Sequence, residues 1–209
     1  PDRRVVFTPE ELVRLQSEHP EAEIKVESSD IRIFSDDQYR NLGLNVTAEM
    51  SDCDVLFGVK EVPVDALIPN KKYFFFSHTI KKQPYNRKLL KAILDKNIEL
   101  YDHETIVDAT NHRLIGFGRY AGLVGAYNGF RGFGIKYDLF TLPKAETLSG
   151  KEDLIARLKR QTLPNIKIVL TGHGKVGMGA KEILDGIKIK QVSVEDFLNK
   201  NYTEPVYTQ

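Results

Sequence analysis

The feature that most constrains this chain is residues 166–184, Ile-Lys-Ile-Val-Leu-Thr-Gly172-His-Gly174-Lys-Val-Gly177-Met-Gly-Ala-Lys-Glu-Ile-Leu. An alternating apolar run ends at Thr171, turns at once into glycines spaced G-x-G-x-x-G, and continues with apolar residues at Val176, Ala180, Ile183 and Leu184. That order predicts a strand, a tight turn and a helix. Gly172 would make the turn, Gly174 would let a pyrophosphate approach the main chain, and Gly177 would let helix and strand pack closely. Free amides at the helix start would face the phosphates. The pattern therefore points to a Rossmann-like dinucleotide site, with an ordinary glycine-rich turn as the plain alternative.

Composition narrows the class. The chain has 209 residues, of which 41% are hydrophobic, enough for a core and for one or two domains. Thirty basic against 29 acidic residues leave a net charge of +1, which gives no reason to expect a nucleic-acid or membrane surface. Cys53 is the only cysteine, so a disulfide framework and a cysteine-rich zinc site are excluded, and a reducing compartment fits. No apolar stretch reaches the roughly 18 residues of a membrane span, and the first residues lack signal-peptide character. The expected address is cytoplasmic.

Ahead of the glycine turn, strands and helices alternate. Thr8-Pro9-Glu10-Glu11 opens a helix, with Thr8 as cap, that runs to about His19. A strand is expected at residues 24–26 and a short helix from Asp36 to Gly43. Residues 53–59 and 72–77 read as strands buried on both faces of a parallel sheet, residues 89–94 as a helix, and 98–101 as a third buried strand. This alternation predicts an α/β, doubly wound first domain. Ligands of such sheets collect at the carboxyl ends of the strands, where Lys60, His78 and Glu104 all fall.

From Gly116 to about Phe133, glycine and alanine recur at helical spacing, which predicts a closely packed crossover helix. The expected organisation is a substrate domain over residues 1–118, the crossover and its connection over 119–163, and an incomplete Rossmann nucleotide domain over 164–209. Past the glycine turn only one more strand is expected, at residues 187–192, followed by a helix opened by Ser193. A complete dinucleotide fold has about six strands, so the chain reads as a piece of a longer enzyme, inactive by itself.

Four stretches carry a family resemblance: Arg3-Arg4-Val-Val-Phe-Thr8-Pro9, Gly58-Val-Lys60-Glu61-Val-Pro63, Phe76-Ser77-His78-Thr-Ile-Lys81-Lys82-Gln83, and Tyr101-Asp-His-Glu104 with Phe117-Gly-Arg-Tyr120-Ala-Gly122. Together they resemble the alanine dehydrogenase/transhydrogenase amino-terminal family, and within it the lysine-2-oxoglutarate reductases and lysine-forming saccharopine dehydrogenases. The resemblance implies an NAD- or NADP-dependent oxidoreductase that forms or cleaves saccharopine from lysine and 2-oxoglutarate by imine reduction. It implies that Lys60 and His78 are catalytic, and that Arg4 and Glu104 bind substrate.

The residue types suit that chemistry. Making and breaking a carbinolamine needs proton transfers at oxygen and nitrogen, which a histidine or a partly desolvated lysine can perform. An arginine holds a carboxylate through two parallel hydrogen bonds. Lys81 is a further candidate for a carboxylate. Each has a plain alternative: solvated charges for Arg4, Lys60 and Lys81, a hydrogen-bonded cap for His78, an ion-pair partner for Glu104. His19, His103, His112 and His173 read as surface or turn residues, no metal site is expected, and Cys53 reads as a small core residue.

An enzyme preferring NAD usually carries an acid at the end of its second nucleotide-domain strand. Val192-Ser193 hold that place here, which leans towards NADP. Two other readings stay open: an alanine-dehydrogenase-like enzyme acting on a smaller oxo acid, and a non-catalytic nucleotide- or metabolite-binding fragment. Homo-oligomer formation is compatible with all three.

Overall fold

The structure is a computed structural model and describes residues 2–209. It consists of two compact units, Pro1–Gly116 and Phe117–Gln209.

The first unit opens with α1 (Pro9–Glu18). Thr8 Oγ1 accepts from the Glu11 amide at 3.2 Å and the Glu11 carboxylate accepts from the Thr8 amide at 2.7 Å, so two amides that a helix start leaves unpaired are satisfied reciprocally. The strand β1 (Lys25–Glu27) pairs in parallel with β2 (Asn45–Thr47), and α2 (Asp36–Arg40), capped by Ser35, lies between them in sequence. Leu12, Val26, Tyr39 and Leu44 form their core. β2 was not foreseen, because three residues are too few to establish a period of two.

The strands β3 (Val55–Lys60), β4 (Lys72–Phe76) and β5 (Glu99–Asp102) form a parallel sheet in the order β3-β4-β5. Leu89 and Ile93 of α3 (Arg87–Asp95) pack with Tyr73, Phe75 and Leu67 against one face. The other face carries Phe57, Phe74 and Tyr101, directly opposite one another in register and stacked with ring centroids 4.6 Å apart at each step. This corrects the expectation of strands buried on both faces. Phe57 and Tyr101 are 51% and 42% exposed, and their apolar character serves cross-strand aromatic pairing rather than a second helix layer.

In the second unit α4 (Gly118–Lys136) and α6 (Lys175–Gly186) pack backbone to backbone. A methyl group on Gly122 would lie 2.0 Å from the Val176 carbonyl, and one on Gly179 would lie 2.0 Å from the Arg119 carbonyl. The small-residue face of α4 thus finds its partner in α6. Phe117–Gln209 group as one compact unit. Tyr127, Leu154 and Leu158 of α4 and α5 (Lys151–Lys159) share a core with Ile183 and Leu184 of α6 and with Tyr207.

The sheet here has three strands, β6 (Lys167–Val169), β7 (Lys190–Gln191) and β8 (Val206–Thr208), in the order β6-β8-β7 and all parallel. The sequence reading expected a single strand past the glycines. β7 is shorter than foreseen, and β8, buried at each of its residues, was missed behind Pro205 after the helix α7 (Val194–Asn199). β8, not β7, is the neighbour of β6.

Candidate functional site

Three parallel strands end side by side in the first unit. β3 delivers Lys60, opposite Phe76 of β4; Ser77 and His78 follow β4; His103 and Glu104 follow β5. His78 has φ 56° and ψ 9°, a left-handed conformation in which a non-glycine residue is strained by about 1–3 kcal/mol. Three hydrogen bonds hold it there. The Asn86 side-chain amide and the Lys81 backbone amide both donate to the His78 carbonyl, at 3.2 and 3.1 Å, and the Thr79 amide donates to Ser77 Oγ at 3.1 Å. Ser77, wholly buried, also donates to Asp102 Oδ2 at 2.5 Å, and Asp102 Oδ1 accepts from the Glu104 amide at 2.8 Å. A buried Ser77-Asp102 pair therefore ties the turn after β4 to the turn after β5.

The outcome is a polar cluster. His78 Nδ1 lies 3.1 Å from Glu104 Oε2, Lys81 Nζ lies 3.3 Å from Glu104 Oε1, and an Arg113 guanidinium nitrogen lies 3.4 Å from the same oxygen. Burial works to raise the Glu104 pKa, but hydrogen bonds from His78 and Lys81 and the charges of Lys81 and Arg113 outweigh it, holding the carboxyl below its ordinary range. Glu104 is consequently an anion across the neutral range. The anion best accepts from an Nδ1–H of His78, which leaves the Nε2 lone pair of the neutral ring as its basic position. Arg113 was missed from sequence, being nine residues past Glu104 and returned to it by an antiparallel bridge between Val107 and Arg113.

The remaining predicted residues divide. Lys60 shares the strand end but is exposed, without the desolvation the sequence reading asks of an acid/base lysine. Arg4 is exposed and holds Asp2 through two parallel hydrogen bonds, Nε to Oδ1 at 2.9 Å and Nη2 to Oδ2 at 2.5 Å. Those bonds, with the charges of Arg4 and Lys60, lower the Asp2 pKa to about 2. His78, Lys81 and Glu104 are brought together; Arg4 is paired with Asp2 instead. His103 lies in the turn after β5, one of the two places the sequence reading allowed, but is buried there, 5% exposed, whereas His19, His112 and His173 are exposed. Among the described residues, no group of three or more histidine, cysteine or acidic side chains could hold a metal ion, and no helix is long and apolar enough to cross a membrane.

The second unit contains the glycine turn. Gly172 has φ 83°, in the left-handed region that favours glycine. A methyl group on Gly177 would lie 2.2 Å from the Gly172 carbonyl, so the helix can follow the turn this closely only with glycine there. Gly174 caps α6 without a side-chain hydrogen bond, and the space where its side chain would stand is open. An uncapped helix start beneath an open backbone suits a pyrophosphate, so Gly172, Gly174 and Gly177 fit a dinucleotide. Val192-Ser193 do not fit as the ribose position read from sequence. β7 lies one strand further from β6, and Gln209, at the end of β8, is beside the turn, its side-chain amide donating to the Gly172 carbonyl at 2.9 Å.

Comparison with known proteins agrees with this architecture. The chain is 30% identical over 204 residues to an alpha-aminoadipic semialdehyde synthase of Arabidopsis thaliana, covering 87% of this chain and 19% of that protein. It is 27% identical over 192 residues to a saccharopine dehydrogenase [NAD(+), L-lysine-forming] of Yarrowia lipolytica, covering 82% of this chain and 51% of the relative. A mitochondrial alpha-aminoadipic semialdehyde synthase of Bos taurus matches at 30% identity over 208 residues, 86% of this chain and 22% of that protein. The chain thus spans about a fifth of the synthases and half of the dehydrogenase. Among solved structures, an L-alanine dehydrogenase has the same fold, with a TM-score of 0.61 and 16% identity over all of this chain and 58% of the other. The family model for the alanine dehydrogenase/PNT N-terminal domain matches residues 1–124, more than half of the chain, and the chain belongs to that family.

Proposed function

We propose that this chain supplies the acid/base site and part of the nucleotide site of an oxidoreductase that forms or cleaves saccharopine. The single observation that carries the reading is the His78-Glu104-Lys81-Arg113 cluster at the carboxyl end of a parallel sheet, in which a half-buried anion orients a histidine beside two cations. The name of the Yarrowia lipolytica relative, L-lysine-forming, favours lysine chemistry over that of a smaller amino acid.

The ε-amine of lysine attacks the C2 carbonyl of 2-oxoglutarate, the carbinolamine loses water, and the resulting imine carbon is reduced. His78 Nε2 takes a proton from the attacking nitrogen and returns it to the departing hydroxyl, while Glu104 holds the ring by Nδ1 and stabilises the imidazolium between the two transfers. Lys60, at the neighbouring strand end, is the second proton carrier, with bound substrate supplying the cover that its exposed position lacks. Arg4 binds a substrate carboxylate in its fork, releasing Asp2 to do so, and Lys81 and Arg113 provide further positive charge for a product with several carboxylates. A reduced nicotinamide, held through its pyrophosphate by Gly172, Gly174 and Gly177, supplies the hydride when bound. At the ribose, Gln209 offers a neutral amide where a carboxylate would repel a 2′-phosphate, so NADP is the preferred nucleotide.

The test is nucleotide oxidation by the intact protein with lysine plus 2-oxoglutarate, against ammonia plus pyruvate. Turnover with the first pair and little with the second is expected. Turnover with only the second pair would replace this reading by an alanine-dehydrogenase-like one, and turnover with neither would leave a binding role.

A further inference from the structure

We infer that His103 is a positioning residue, a cross-brace that fixes the strand end bearing Lys60 relative to the strand end bearing Glu104. The inference rests on the proposed function, in which Lys60 carries a proton and Glu104 orients His78. The pairing of β3 with β4 steps from Phe57 opposite Phe74 to Lys60 opposite Phe76, so three steps on β3 face two on β4. That extra residue is a bulge, and a bulge interrupts regular ladder pairing and re-aims the side chain that follows it. Gly58 lies inside the bulge and Lys60 ends it.

His103 reaches the bulge from the opposite side of the sheet. It follows β5, its backbone amide donates to the Phe75 carbonyl of β4 at 3.1 Å, and its side chain spans β4 to place Nε2 3.1 Å from the Gly58 carbonyl of β3. A carbonyl only accepts, so Nε2 carries the hydrogen and a neutral ring has its lone pair at Nδ1. Nδ1 is buried and has no hydrogen-bond partner among the described residues. The ring packs edge-on to Phe76 with centroids 5.1 Å apart, and Phe74 lies at 6.4 Å. An apolar side chain could fill this space without stranding a buried nitrogen, and an unsatisfied buried polar atom calls for a reason. The tie to Gly58 supplies it. One residue that continues β5 thus hydrogen-bonds to both β4 and β3, with Glu104 next to it in sequence and Lys60 two residues past the carbonyl it holds.

Two measurements on the intact protein decide the matter. Long-range proton-nitrogen NMR of nitrogen-15 histidine reads the His103 tautomer without reference to activity; protonated Nε2 with unprotonated Nδ1 is expected, and the reverse tautomer overturns the brace. In kinetics, His103→Leu is expected to lower kcat with lysine and 2-oxoglutarate by roughly tenfold or more while each KM stays within about threefold, because small misplacement of catalytic groups is costly to the chemical step. His103→Gln, which keeps an N–H in reach of Gly58, is expected to recover kcat to within about threefold of wild type. Wild-type kcat in folded His103→Leu, or a folded His103→Gln no better than a tenth of wild type, overturns the proposal; should His103→Leu fail to fold, His103→Gln alone decides by the same limits. An inactive wild-type protein would instead refute the acid/base reading, and the tautomer would then decide the brace.

Discussion

His78 and Glu104, 26 residues apart in sequence, meet at 3.1 Å between imidazole Nδ1 and one carboxylate oxygen, while the other carboxylate oxygen faces Lys81 and Arg113. The pair joins the ends of two adjacent parallel strands, so a catalytic orientation and a structural tie depend on the same contact. Because Glu104 has a depressed pKa in the folded protein, its stabilising contribution is complete above the ordinary carboxylate value of about 4.3 and is lost as pH falls through the lower folded value. Glu104→Gln should destabilise by about 1–3 kcal/mol near neutrality, through three donors deprived of their anion. Urea unfolding across pH should show the gap between wild type and variant narrowing below about pH 4.

Gly122 and Gly125 occupy the same helix and make opposite predictions. Gly122→Ala places a methyl 2.0 Å from the Val176 carbonyl and should cost about 1–3 kcal/mol or more, since neither backbone can yield. Nothing lies within 4 Å of a methyl on Gly125, so Gly125→Ala should be neutral or stabilise by about 0.5–1 kcal/mol through helix propensity. Thermal unfolding of the two variants measures the difference.

The strand order β6-β8-β7 puts β8, not β7, next to β6, and under the proposed function Gln209 at its end faces the nucleotide ribose. Gln209→Glu in the intact protein should weaken NADPH binding by roughly tenfold and spare NADH, because a carboxylate repels a 2′-phosphate yet accepts from a 2′-hydroxyl. Titration of the two nucleotides by fluorescence reads the ratio directly.

Local signals made much of this legible. Thr8-Pro9-Glu10-Glu11 specifies its helix through short-range hydrogen bonds, and the glycine pattern specifies strand, turn and helix in one stretch. The convergence of His78 with Glu104 followed from topology, since parallel strands deliver their ends to one edge. What escaped depends on pairings no local pattern encodes. β2 and β8 are three residues long and exist through their partners, Arg113 returns by a bridge from Val107, and the burial of His103 is set by Phe74 and Phe76 on the neighbouring strand. The aromatic residues of β3 and β5 suggested a second buried face, yet stacking along an exposed face uses the same composition.

The most direct test of the central claim is kcat of His78→Ala in the intact protein with lysine, 2-oxoglutarate and reduced nucleotide, with nucleotide affinity measured alongside. A fall of about a hundredfold or more with nucleotide affinity unchanged is expected for loss of a general acid/base. A kcat within a few-fold of wild type would contradict the assignment and leave the cluster around Glu104 a purely structural knot.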